Sequence, residues 1–142
     1  MKSSLLPILF TGLLSLFSMP PAVASDGILV VANTTQPHTD LSREQVRNLF
    51  MGASVGYQLY PVALPPQNRT RSLFNAKVIG MAESRIQSYW AQMKFTGRLT
   101  PPDEVSNEEE MLKYLNENEG SIGYLTTGTE IPEGLTILFR TE

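Results

Sequence analysis

The chain has 142 residues, 11 Lys and Arg against 14 Asp and Glu, a net charge of −3 at pH 7, and no cysteine. A mildly acidic chain without a basic block is a poor partner for duplex nucleic acid or an anionic membrane, since both need clustered positive charge. The lack of cysteine excludes disulfides, a lipid-modified cysteine and thiolate metal sites, so stability has to come from packing.

Lys2 precedes an apolar run from Leu5 to Phe17, which leads into Pro20-Pro21-Ala22-Val23-Ala24. A charged start, a short apolar stretch and an Ala-x-Ala end predict a cleaved signal peptide over residues 1–24 and a periplasmic location for the remainder. The run falls short of the roughly 20 residues that a membrane span needs. Residues 25–142 are then the size of one domain.

Ile28-Leu-Val-Val-Ala32 is a continuous apolar run rich in β-branched residues, which predicts a strand buried on both faces. Ser42 and Gln45 are spaced as a capping box, with Leu41 placed to staple onto Val46, so a helix is expected over 43–51. Val46, Leu49 and Phe50 form its inward stripe and Gly52 its stop. A second strand follows at 60–64, then a turn stiffened by Pro65 and Pro66, then a helix that begins near Asn68 and breaks at Gly80. Ile86, Tyr89, Trp90 and Met93 recur at helical spacing, which makes the single tryptophan a core anchor. Pro101 and Pro102 mark a rigid loop. Ser106 and Glu109 read as another capping box, with Glu108, Glu109 and Glu110 in a first turn where the helix dipole favours them. Residues 121–125 and 135–139 are the last strands, read as an antiparallel hairpin, and Gly123 is expected to admit a neighbouring backbone. The fold class is α/β: a small mixed sheet flanked by helices in the order β-α-β-α-α-α-β-β.

Only the stretch from Tyr60 to Gly80 suggests ligand chemistry. A strand that delivers the chain to a helix start leaves amide N–H groups facing outward, a ready place for an anion. Asn68, Arg69, Thr70 and Arg71 are the candidate ligand-binding residues, the arginines supplying charge and Asn68 and Thr70 hydrogen bonds. The bland alternative is an ordinary capped helix with two solvated arginines. His38, the only histidine, lies in a polar loop with no second ligand to share a metal. There is no nucleophile motif, phosphate loop or paired carboxylate, so neither catalysis nor a metal or other cofactor is expected.

Taken together, Leu41 to Gly52, the apolar strand before Asn68, the helix bearing Trp90 with Phe95-Thr96-Gly97, and Gly120-Ser121-Ile122-Gly123-Tyr124 resemble the phosphate-binding proteins of ABC transporters. Those are members of the type II periplasmic-binding-protein-like family. The resemblance runs from about residue 28 to 139 and implies one lobe of a normally two-lobed fold. It also implies a departure. In that family the ligand strand ends in an arginine and continues into Ser-x-Gly-Ser-Gly-Thr, whereas the matching positions here are Leu64 for the arginine, Asn68 for the second serine, Arg69 for the glycine and Thr70 for the threonine. Thr70 alone is retained.

Two functions follow as expectations. The first is an exported single-lobe solute-binding protein that holds phosphate or a similar oxyanion at the helix start. The second is a ligand-free periplasmic interaction module that docks on an envelope sensor, porin or other protein, or on a second copy of itself.

Overall fold

The computed structural model describes Ser18, residues 27–36 and residues 40–142. His38 and, apart from Ser18, the expected signal peptide lie outside the described residues. Every residue of strand β1 (Ile28–Ala32) is buried, as its unbroken apolar run predicts. It pairs antiparallel with β4 (Ser121–Thr126) on one edge and with β5 (Thr136–Arg140) on the other. Beyond β4 lies β2 (Tyr60–Ala63), and beyond that β3 (Asp103–Glu104), both in parallel pairings, giving the order β3-β2-β4-β1-β5.

The last two strands are therefore not a hairpin, contrary to expectation, because β1 lies between them. The most apolar strand takes the interior of the sheet, while β5, only partly buried, takes an edge. The elements run β1-α1-β2-α2-α3-β3-α4-β4-β5, with α1 at Arg43–Phe50, α2 at Arg69–Phe74, α3 at Glu83–Phe95 and α4 at Glu108–Glu117. Strand β3 is the one addition to the expected order. It falls in the segment read as a rigid loop, and no apolar residue marks it. It forms because the open edge of β2 offers partners, and the Val105 N–H continues the pairing to the Ala63 carbonyl at 3.0 Å.

Helix α1 starts as predicted. The Gln45 N–H donates to Ser42 Oγ at 3.1 Å, and the Ser42 N–H donates to Gln45 Oε1 at 2.8 Å. Just past its end Gly52 adopts φ +94°, a left-handed conformation that favours glycine. Helix α4 starts one residue later than expected: Asn107, not Ser106, is the cap, with Oδ1 accepting from the Glu110 N–H at 2.9 Å. Asn caps as well as Ser does, and the shift leaves Glu108 as the first helical residue. Helix α2 continues into a π-helical turn over Asn75–Ile79, closed by the Gly80 N–H on the Asn75 carbonyl at 2.7 Å.

Neighbouring residues on β4 point to opposite faces of the sheet, and each face finds a helical layer. At Gly123 a Cβ would collide with the sulfur of Met111 on α4, so this glycine admits a side chain rather than the backbone expected there. On the other face Tyr124 stacks on Phe74 of α2 at 3.9 Å between ring centres, and Phe50 of α1 meets both rings edge-on. Trp90 is 6% exposed, the core anchor that the spacing predicts. Among the described residues no helix is long and apolar enough to cross a membrane.

Candidate functional site

Strand β2 delivers the chain to Leu64, and both backbone groups of that residue are held by side chains. The Leu64 N–H donates to Tyr124 Oη at 3.0 Å, and its carbonyl accepts from Arg71 Nη1 at 2.7 Å. The next turn closes with the Asn68 N–H on the Pro65 carbonyl at 2.9 Å. Asn68 then caps α2, its Oδ1 accepting from the Arg71 N–H at 3.1 Å.

What faces this helix start is a carboxylate of the protein itself. Thr70 Oγ1 donates to Glu108 Oε1 at 2.7 Å, and Asn68 Nδ2 lies 3.3 and 3.4 Å from the two Glu108 oxygens. The Thr70 hydroxyl is the main cause that holds the Glu108 carboxyl below the usual carboxylate range. Partial burial opposes it, and Asn68 and the backbone amide of Glu108 assist it. Thus the local environment favours negative charge, and an internal anion already occupies it.

The four residues expected at the site divide into three groups. Asn68 and Thr70 converge on Glu108. Arg69 is exposed and has no hydrogen-bond or ion-pair partner among the described residues. Arg71 turns inward: Nη2 pairs with Glu83 at 2.5 Å, Nη1 reaches Glu104 at 3.2 Å, and its side chain is 8% exposed. Asn75 Nδ2 donates to the other Glu83 oxygen at 3.0 Å, which completes a partly buried polar cluster. Glu108, Glu83, Glu104 and Tyr124 were not among the expected site residues. Glu104, Glu108 and Tyr124 come from elements far along the chain from α2, and nothing local to Glu83, which opens the next helix, points to Arg71.

Beside this cluster a concavity of about 260 Å³ opens between α3 and the sheet. Phe50, Phe74, Ile86 and Trp90 line its apolar part, while Arg71 and Glu104 stand at its polar wall. Among the described residues no group of His, Asp and Glu is placed to hold a metal ion.

Comparison with known proteins finds no matching protein family and no matching curated relative. Among solved structures, the chain is similar to an ABC-type phosphate transport receptor from Vibrio cholerae, with 19% sequence identity and a TM-score of 0.59. The match covers 79% of this chain but only 45% of the receptor, so the chain spans less than half of that protein's length. At this identity the likeness speaks for architecture alone: the chain has a periplasmic-binding-protein-like fold.

Proposed function

We propose that the chain is an exported, non-catalytic solute-binding lobe of the periplasm, and that its α2 start holds phosphate or a similar oxyanion in competition with its own Glu108. The observation that carries this reading is the Thr70 hydroxyl donating to the Glu108 carboxylate at 2.7 Å, with the Asn68 amide beside it. These donors are already arranged around an anion, and the fold neighbour is a phosphate transport receptor. A phosphate that displaces Glu108 inherits both donors, together with the charge of the exposed Arg69.

The affinity is modest. A helix start contributes about 0.3–2 kcal/mol and two charge-assisted hydrogen bonds about 1.5–3 kcal/mol each, while a millimolar complex needs about 4 kcal/mol. The tethered carboxylate lowers this further, because only the fraction of molecules with Glu108 displaced can bind. Phosphate titration followed at the amides of residues 69–71 should therefore show weak, saturable shifts. Glu108→Ala should tighten binding about tenfold by removing the competitor, and Arg69→Ala in that background should weaken it. If Glu108→Ala shows no phosphate-dependent shift, the oxyanion reading fails.

A second reading is favoured by Glu108 itself filling the α2 start: the chain then binds no solute and docks on an envelope protein. Under that reading phosphate produces no shift in either protein, and a defined envelope partner co-purifies in stoichiometric amount.

A further inference from the structure

Phe50, Phe74, Trp90 and Tyr124 all line the concavity between α3 and the sheet, and Pro101 and Pro102 bound it on the segment that leads to β3. Its volume of about 260 Å³ exceeds the roughly 150 Å³ of an apolar cavity that takes up benzene, so one ring with a short chain fits. The polar groups of its inner wall are already served. Arg71 bonds Glu83, Glu104 and the Leu64 carbonyl, and Asn75 bonds Glu83. Among the described residues no buried side-chain nitrogen or oxygen lacks a hydrogen-bond partner. A guest therefore gains little by placing polar atoms inside and gains by placing an apolar ring there. The π-helical turn Asn75–Ile79 adds Asn75 and Ile79 to the lining, and turns of this kind are frequent at functional sites.

Charge selects the other end of the guest. Among the lining residues Arg71 and Lys94 are cationic and Glu104 is anionic. Arg71 is engaged by Glu104 beside it and by Glu83, which does not line the space. Lys94 is left. It is exposed on the last turn of α3, and its ammonium has no hydrogen-bond or ion-pair partner among the described residues. We propose that the concavity is a second binding site, for a small aromatic monocarboxylate whose ring lies among Phe74, Ile86 and Trp90 and whose carboxylate meets Lys94 at the mouth. One carboxylate suits one ammonium. Inorganic phosphate, more highly charged and without apolar surface, loses more hydration in such a space than one lysine returns. The same charge sets a preference, since a neutral alcohol of equal shape forgoes the ion pair and an amine is repelled.

This site goes beyond the oxyanion reading and does not depend on it. 3-Phenylpropionate, 3-phenylpropanol and 3-phenylpropylamine carry the same ring on similar chains and differ in the charge of the end group. Titrated into the protein, the acid should change the emission of Trp90, the only tryptophan, and move its indole N–H resonance. The alcohol should bind about threefold more weakly, as expected for loss of an exposed ion pair, and the amine more weakly still. Lys94→Ala should bring the acid down to the level of the alcohol without changing the alcohol. Lys94→Glu should place the amine above the acid. Ala91→Phe, at an exposed position on the lining, should abolish binding of all three while the circular dichroism spectrum stays that of the parent. No Trp90 response to the acid, an acid that binds no better than the alcohol, or an order of affinities unchanged in Lys94→Glu overturns the proposal. Phosphate shifts at residues 69–71 persist in Lys94→Glu if only the oxyanion reading holds. The Trp90 response to 3-phenylpropionate appears without any phosphate shift if only this site exists, so the two tests are separable.

Discussion

Arg71 and Tyr124 meet at Leu64 from opposite directions, and between them they fix the path by which β2 enters α2. Removal of Arg71 takes the counter-charge from the partly buried Glu83 and the half-exposed Glu104 and leaves the buried Leu64 carbonyl without its donor. Arg71→Ala should cost about 3 kcal/mol, the lower end for breaking a buried ion pair because Glu104 is half-exposed. Arg71→Lys should recover only part of that, since a point charge cannot span both acids and the carbonyl. Urea denaturation checks both. Tyr124 gives a pH signature. Burial pushes its phenol pKa well above the ordinary value, so the neutral form is the one the fold retains. A raised folded-state pKa means that this stabilisation is full below the ordinary phenol value of about 10 and is lost as pH rises above it. Tyr124→Phe orphans the Leu64 N–H and should cost about 1–3 kcal/mol at neutral pH. Its stability should then fall less steeply than that of the parent in alkaline solution, and denaturation at several pH values measures the difference. The sequence shows that Asn68 caps a helix and that arginines stand near it. It does not show which way Arg71 points, because its acid Glu104 is 33 positions away and Glu108 is 38 positions from Thr70. Side-chain direction at such a site is decided by tertiary neighbours rather than by local spacing.

Elements whose signals are local could be read directly. The Ser42–Gln45 box, the Asn68 cap and the apolar run of β1 each specify an element within a few residues. Elements defined by a partner could not: β3 exists because β2 has a free edge, and β5 sits beside β1 rather than β4 because of where burial is greatest. Gly123 shows the same division. A glycine within a strand signals a close approach, but what approaches is set by the packing of α4. Gly123→Ala should cost about 1–3 kcal/mol, because the new methyl meets the buried Met111 sulfur in a filled core. In a Met111→Ala background the same change should cost far less, and thermal melts of the four proteins in the cycle give the coupling.

At the level of the whole molecule, the sheet carries a helical layer on each face. The phosphate proposal is tested at the α2 start by Glu108→Ala. The sheet also has a temporal consequence. Strand β1, first in the chain among the described strands, is clasped on both edges by the two strands that come last, β4 and β5. No early fragment can complete that arrangement, and contacts so distant in sequence make for slow assembly. A growing polypeptide therefore cannot close the sheet around its earliest described strand until both late strands have been made.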